Sequence, residues 1–331
     1  MCTKPLVQIV SYGTMENGKL KKWFETLKPL EAREIWKPPY YKVQELPCGQ
    51  CIDCRLKYSR EWAFRCMCEA EQYEHNEMLT LTYNEENIPK NYQINPKTGC
   101  VEPGGGTLVK KDVQDFLKRL RKKYPGFRYY MCGEYGDKHQ RPHYHLIMFN
   151  LKVDDKEYLR DSVSEWSKIK NKLYTSKDIE KIWGKGFITL NEVNFETCAY
   201  VARYVTKKVK GPTSEEEYEL RGQLPEYTCM SRNPGIGEKY YQLNKEKFYE
   251  KKKIWQKTQK GLLEINPGRY FEKLIEKENE EILKKLKKRN NKKSKEFWEE
   301  LLQQTELNKD EYIEQKDKIV YDRYRQMKRS M

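Results

Sequence analysis

The sequence predicts an α+β protein in which a mainly antiparallel sheet of about five strands is flanked by helices. β-rich runs alternate with helical stretches, and two neighbouring β-rich runs are joined by a loop that suits an antiparallel hairpin. From about residue 246 lysine and glutamate dominate, which indicates a charged helical C-terminal tail. We therefore expect three segments: 1–54, which contains a cysteine cluster, a folded domain over 55–245, and the tail over 246–331.

Helices are predicted where apolar residues recur at helical spacing, and little periodicity precedes the first of them, over 1–47. The most amphipathic helix covers 111–123, with an apolar face formed by Val113, Phe116, Leu117 and Leu120. The other predicted helical stretches are 55–75, 154–172, 176–184, 195–209, 271–289 and 295–304.

Strands are predicted over four β-rich or apolar runs, which are 78–83, 127–135, 143–150 and 186–190. The second and third of these runs are separated by a loop over 136–142. They form the predicted antiparallel hairpin, which contains the most specific candidate site of the chain.

The composition indicates a nucleic acid partner. The formal net charge is +15 and the pI is about 9.1, and such basicity favours a polyanion. Aromatic residues make up 13% of the chain, and rings scattered among cations suit single-stranded nucleic acid, where bases stack on them. A membrane partner is not expected, because no apolar run approaches the roughly 20 residues that span a bilayer and the sequence has no signal-like start.

Two of the four histidines in the chain, His143 and His145, stand two positions apart in the second strand of this hairpin. Alternation along a strand would place both imidazoles on one face. Two imidazoles on one face form half of a divalent metal site. A surface pair, or two hydrogen-bonded core histidines, would give the same pattern.

The helix predicted over 195–209 carries two tyrosines on one face. Tyr200 and Tyr204 lie one turn apart, and Lys207 and Lys208 follow on the same side. A phenol can attack phosphorus once its proton is removed, and nearby lysines favour the phenolate. We expect the phenols not to be needed for packing, because a separate apolar stripe is formed by Cys198, Val201, Ala202, Val205 and Val209.

Together these motifs resemble the HUH endonucleases. His143-Tyr144-His145 is similar to their His-hydrophobe-His motif, and the segment 79–83 resembles their first motif. The paired tyrosines with the two lysines are similar to the catalytic helix of rolling-circle initiators, and the motif order matches relaxases less well. The runs 47–63 and 230–237 resemble replication initiators of small single-stranded DNA phages, with the gokushovirus-like microviruses as the nearest group.

The resemblance implies an HUH endonuclease fold over 55–245 and a metal-dependent tyrosine DNA endonuclease and ligase. Such an enzyme nicks single-stranded DNA at a phage origin through a 5′-phosphotyrosine intermediate and leaves a 3′-OH that primes rolling-circle synthesis. The second tyrosine attacks the regenerated junction and releases a circle. Host helicase and polymerase are implied partners, and the implied location is the cytoplasm of the infected bacterial host.

The implied cofactor is Mg²⁺ or Mn²⁺, held by His143, His145 and a third ligand. Glu134 is the favoured third ligand, since a carboxylate at the end of the pairing strand suits these ions. A solvated glutamate is the alternative, and His139 in the loop is the rival ligand. The candidate DNA contacts are Arg141, Arg203 and Arg232.

The cysteines suggest a second metal. Cys48, Cys51 and Cys54 have ligand-like spacing, and Cys66 and Cys68 follow in the next predicted helix. A structural Zn²⁺ normally has four ligands, and no clean second Cys-x-x-Cys follows. Packed structural thiols are therefore an equally good interpretation, and an iron–sulfur cluster is less favoured. Clustered cysteines without a signal indicate a reduced, cytosolic protein.

Two other functions compete with the endonuclease. A non-catalytic, zinc-containing nucleic-acid-binding protein would share the basic charge and the cysteines. A transposase or relaxase would share the chemistry. A covalent protein–oligonucleotide adduct formed with Mg²⁺ or Mn²⁺ would separate the enzyme from the binding protein.

Overall fold

The computed structural model describes residues 2, 4–15, 17–136, 139–163, 170–203, 214–250, 254–259 and 261–329. They divide into two compact units. The smaller unit comprises 1–58 and 301–325, and the larger unit comprises 59–300 and 326–331. No helix in the described ranges is long and apolar enough to cross a membrane. The predicted segments 1–54, 55–245 and 246–331 stay a prediction.

The smaller unit contains a three-stranded antiparallel sheet in the order β2-β1-β3. Its first elements are β1 (Leu6–Thr14), β2 (Leu20–Glu25), α1 (Pro29–Ile35) and β3 (Tyr41–Leu46). Val7 and Ile9 alternate on one face of β1 and pack with Ala32 of α1, and these three residues form the buried core cluster. None of these strands was predicted, because most of their other residues are exposed and carry little periodic signal.

Helix α2 (Ile52–Ala70) begins in the smaller unit, and its later residues belong to the larger one. The remaining strands are β4 (Asn76–Tyr83), β5 (Tyr92–Ile94), β6 (Val101–Pro103), β7 (Arg128–Tyr135), β8 (Pro142–Phe149), β9 (Lys156–Val163), β10 (Lys170–Ser176), β11 (Gly186–Glu192), β12 (Tyr227–Met230), β13 (Ile254–Thr258) and β14 (Gly261–Ile265). The remaining helices are α3 (Lys110–Lys123), α4 (Lys177–Trp183), α5 (Phe195–Arg203), α6 (Ser214–Leu220), α7 (Glu238–Leu243), α8 (Lys245–Glu250), α9 (Arg269–Glu278), α10 (Glu280–Gln303) and α11 (Lys309–Arg329).

The larger unit is built on a seven-stranded antiparallel sheet in the order β12-β7-β8-β4-β11-β10-β9. The predicted α+β class with a mainly antiparallel sheet and a helical C-terminal region is confirmed, although the sheet is larger than about five strands. The helix predicted over 154–172 is wrong, because β9 and β10 form there. β9 is an exposed edge strand with polar residues on both faces, so it lacks the alternation that identifies half-buried strands.

Helices cover both faces of the seven-stranded sheet. On one face, α3 and α4 pack against Leu81, Tyr144 and Leu146. The predicted apolar face of α3 is confirmed, since Val113, Phe116, Leu117 and Leu120 are all buried.

The opposite face packs against α2 and α5. The apolar side of α9 adds Phe271 and Ile275 to the same core. This contribution was not predicted from the sparse apolar residues of the C-terminal segment. The two histidines of β8 point to this face, because side chains alternate along the strand.

Candidate active site

The two histidines lie on β8, which is paired on both sides. His143 and His145 share one face of the strand, and their rings are nearly parallel, with centroids 6.4 Å apart and an interplanar angle of 9°. Across the hairpin, Glu134 of β7 is directly opposite His143. On the other side, Thr80 of β4 is directly opposite His145. The register therefore places a carboxylate and a hydroxyl on the same face as the imidazoles.

His145 is held from both sides. Its Nδ1 lies 3.0 Å from Thr80 Oγ1, and its Nε2 lies 3.3 Å from Glu134 Oε1. The side chains of His145 and Glu134 are only 7% and 5% exposed. A carboxylate accepts hydrogen bonds, so Nε2 donates to Glu134 and Nδ1 accepts from the threonine hydroxyl. A cation between Nε2 and the carboxylate would take the place of that proton.

His143 has a ring nitrogen available as a ligand. Its Nδ1 donates to the carbonyl oxygen of Arg141 at 2.8 Å, which leaves the lone pair on Nε2. Burial and the neighbouring His145 lower the pKa of His143. The imidazole is therefore neutral at neutral pH, as a metal ligand must be.

A divalent cation fits His145 and Glu134 more closely than it fits all three predicted ligands. Neighbouring ligand atoms around an ion with bonds of about 2.1 Å lie about 3 Å apart, close to the 3.3 Å between His145 Nε2 and Glu134 Oε1. In the described part of the chain, the one group of three or more ligands within 4.8 Å of one another is formed by cysteines. His143 would therefore have to turn its ring toward His145 to complete the set.

The rival ligand His139 is placed differently. It is exposed and lines a groove of about 660 Å³ together with Arg141 and the glycines 104–106. Among the described residues, no contact joins His139 to Glu134 or His145. The geometry thus favours Glu134 as the partner of the histidines.

Helix α5 places Tyr200 beside the histidines. Asn194 and Thr197 start this helix with reciprocal bonds, since each side chain accepts from the backbone N–H of the other at 2.9 Å. The helix packs on β8 and β7, and the Tyr200 ring lies edge-on to His145 with centroids 5.5 Å apart. The phenol is half-buried against the core, so the expectation that it is not needed for packing was wrong for Tyr200.

Three of the predicted catalytic residues lie outside the described residues. These are Tyr204, Lys207 and Lys208. The described part of the predicted apolar stripe, Cys198, Val201 and Ala202, is buried as expected.

The three candidate DNA-contacting arginines have different surroundings. Arg141 is paired with Glu85, and its second terminal nitrogen donates to the Tyr83 carbonyl oxygen at 3.0 Å. Arg203 ends α5 and is half-buried, while Arg232 is exposed. Their contact with DNA stays a prediction.

The predicted cysteine ligands are joined by a fourth that the sequence did not suggest. Cys48, Cys51 and Cys54 lie with Cys2, and the four Sγ atoms are within 4.8 Å of one another, so they could hold a metal ion. Burial raises the pKa of the Cys2 and Cys54 thiols, and backbone hydrogen bonds oppose this effect at both residues. Cys66 and Cys68, in contrast, are buried in the core of the larger unit.

Comparison with known proteins identifies the family. A family model described as replication-associated protein ORF2 matches residues 76–209, which include His143, His145 and Tyr200. The chain is 34% identical over 253 residues to replication-associated protein ORF2 of Spiroplasma virus 4, an alignment that covers 75% of this chain and 72% of the relative. The chain belongs to this family of replication-associated proteins.

Two further members come from other microviruses. Replication-associated protein VP4 of Bdellovibrio phage phiMH2K is 32% identical over 216 residues, which cover 62% of this chain and 58% of the relative. Replication-associated protein ORF4 of Chlamydia phage 1 is 31% identical over 180 residues, which cover 51% and 41%. The predicted resemblance to microvirus replication proteins is confirmed, and the membership supports a role in initiating viral DNA replication. No solved structure matches the chain.

Proposed function

We propose that the protein is a metal-dependent tyrosine DNA endonuclease and ligase that nicks and rejoins single-stranded DNA at a phage replication origin. The observation that carries the proposal is the contact between Tyr200 and His145 on the sheet face that also holds Glu134. A nucleophile, an imidazole and a carboxylate then meet at one place. The relatives named as replication-associated proteins support the same function.

The proposed reaction transfers a phosphodiester to a tyrosine. The Tyr200 hydroxyl loses its proton, and its oxygen forms a bond to the scissile phosphorus. The bond from phosphorus to the 3′ oxygen breaks, and this oxygen takes up a proton to become the 3′-OH that primes synthesis. The phosphotyrosine conserves the bond energy, so rejoining needs no ATP. Tyr204 would attack the regenerated junction in the same way, and Lys207 and Lys208 would balance the phosphate charge.

The residues around His145 would hold and orient a cation. Together with Glu134 and a turned His143, His145 would bind Mg²⁺ or Mn²⁺, which would polarise the phosphate and stabilise charge on its oxygens. The Thr80 hydroxyl fixes the orientation of His145 through Nδ1, as partners of metal-binding histidines commonly do. Half-burial of Tyr200 places the phenol next to this pair rather than in open solvent.

Affinity for DNA would come from the basic surface as a whole. The net charge of +15 favours many phosphate contacts, and Arg141, Arg203 and Arg232 are the proposed contacts nearest the motifs. Host helicase and polymerase would extend the 3′-OH, which places the reaction in the cytoplasm of the infected bacterium.

Formation of a covalent adduct between the protein and an origin-bearing oligonucleotide tests the function. With Mg²⁺ or Mn²⁺ the wild-type protein should form the adduct, and the double variant Tyr200→Phe with Tyr204→Phe should not. Tyr158→Phe is the matched control, because Tyr158 is 58% exposed on the edge strand β9. An adduct that persists in the double variant would show that these tyrosines are not the nucleophiles. If the wild type forms no adduct with any origin-bearing strand, the non-catalytic zinc-containing binding protein becomes the better explanation.

A further inference from the structure

Four cysteine side chains of the smaller unit converge on one point. Cys2, Cys48, Cys51 and Cys54 are free thiols, and their Sγ atoms lie within 4.8 Å of one another. Cys2 Sγ and Cys51 Sγ are 3.9 Å apart, which is far longer than a disulfide bond of about 2.05 Å. Four sulfurs around one zinc ion with bonds of about 2.3 Å lie about 3.8 Å apart. The cluster therefore has the size and ligand set of a tetrahedral site.

The backbone around Cys48 favours a charged sulfur. The N–H groups of Gln50 and Cys51 lie 3.4 and 3.3 Å from Cys48 Sγ, and the Cys48 N–H lies 3.3 Å from Cys2 Sγ. Gly49 permits this tight turn because its φ of +71° is a left-handed value that other residues rarely adopt. Hydrogen bonds to an ionised acceptor are stronger than those to a neutral one, so these donors stabilise thiolates over thiols.

Strand pairing explains how Cys2 reaches ligands that are distant in sequence. β1 and β3 pair with Leu6 opposite Leu46, so the segment before β1 lies beside the segment after β3. Cys51 and Cys54 flank the start of α2 at Ile52. A single ion would therefore join the segment before β1, the loop after β3 and the first turn of α2.

The sheet of the smaller unit has little apolar core of its own. Its core cluster contains Val7, Ile9 and Ala32, with Trp23 and Trp36 only partly buried against them. Small folds with so little buried apolar area usually need a disulfide, a metal or a partner to be stable. Four converging free thiols supply the ligands for one of these devices.

We propose that Cys2, Cys48, Cys51 and Cys54 bind one Zn²⁺ that stabilises the sheet of the smaller unit. Four protein ligands leave no open coordination position, so the ion has a structural role and not a catalytic one. The site uses none of the residues assigned to nicking. It therefore does not rest on the proposed function.

Metal analysis of the full chain tests this site. We expect about one zinc per chain, with little iron or acid-labile sulfide. Cys2→Ser and Cys51→Ser should each weaken zinc binding at least about tenfold, measured by competition with a chromogenic chelator. Cys100→Ser is the matched control, because it removes an exposed cysteine from the larger unit, and its zinc content should match the wild type.

A second measurement uses the wild-type chain and so does not depend on variants that fold. Replacing the zinc with Co²⁺ should give the strong visible absorption of a tetrahedral thiolate site, and chelation should raise the number of thiols that react with Ellman's reagent by about four. Iron with labile sulfide, thiols that react without chelation, or full zinc affinity in Cys2→Ser would each overturn the proposal. Normal zinc content in a protein that forms no DNA adduct would support the zinc site and count against the nicking function alone.

Discussion

Replacing Glu69 with alanine should destabilise the larger unit by about 3–4 kcal/mol. Glu69 is buried near the end of α2, and its carboxylate accepts hydrogen bonds from Arg128 Nε at 2.6 Å and from the Gly237 N–H at 2.7 Å. Without it, both donors would be left without this acceptor, and breaking a buried ion pair in this way costs about 3–5 kcal/mol. We expect the lower part of that range, because Arg128 also donates to the carbonyl oxygens of Asn233 and Pro234.

Urea unfolding followed by circular dichroism measures the loss. With an m-value of about 3 kcal/mol/M, the midpoint of the larger unit should fall by about 1 M. Glu69→Gln keeps the shape and one acceptor oxygen, so its midpoint should fall less. Asp115→Asn is the control, since it removes a surface pair with Lys111 and should leave the midpoint unchanged. An unchanged midpoint for Glu69→Ala would refute the claim that this network holds the segment 231–237 against β7.

Three further predictions concern the site, acid stability and DNA binding. Thr80→Val removes the hydroxyl 3.0 Å from His145 Nδ1 and should raise the Mn²⁺ concentration needed for adduct formation about 10–100-fold; an unchanged Mn²⁺ titration would argue against an orienting role. Partial burial raises the pKa of Glu278, but hydrogen bonds from Lys245, Tyr249 and Gln242 outweigh this effect and lower it from 4.5 to about 2. The stability that Glu278 contributes is thus present above pH 4.5 and is lost as the pH falls through about 2. Glu278→Gln should cost about 1–2 kcal/mol at neutral pH after allowance for solvent exposure, and a difference from wild type that does not shrink with acid would contradict this. Finally, DNA affinity measured by fluorescence anisotropy should fall steeply with salt, and His145→Ala should keep most of it while abolishing cleavage; a flat salt response, or parallel loss of both activities, would contradict the electrostatic account.

The elements that carry the candidate site were predictable because they are amphipathic or apolar. The helix at 111–123 and the strands at 78–83 and 143–150 bury strong periodic patterns, and the structure has all three. The strands at 156–163 and 170–176 form because they pair with neighbours at the edge of the sheet. Their exposed polar residues carry no pattern that distinguishes them from a polar helix, and the same reason accounts for the strands missed before residue 47.

The candidate site shows the same division between local and long-range information. His143 with His145, and the placement of Tyr200 on a helix, follow from local spacing. The contact between Thr80 and His145 depends on which strand pairs with β8 and in which register. Cys2 likewise reaches Cys48 only through the pairing of β1 with β3. No spacing rule along the sequence gives such contacts, because pairing register is a tertiary property.

The most direct test of the central claim is mass spectrometric mapping of the tyrosine that becomes linked to DNA. The protein is incubated with origin-bearing single-stranded DNA and Mg²⁺ or Mn²⁺, digested with nuclease and protease, and searched for the nucleotide-modified peptide. We predict a phosphotyrosine link at Tyr200 or Tyr204, absent when the divalent cation is removed. A link at any other residue, or one that forms equally well without the cation, would contradict the proposal that Tyr200, His145 and Glu134 form part of a nicking site.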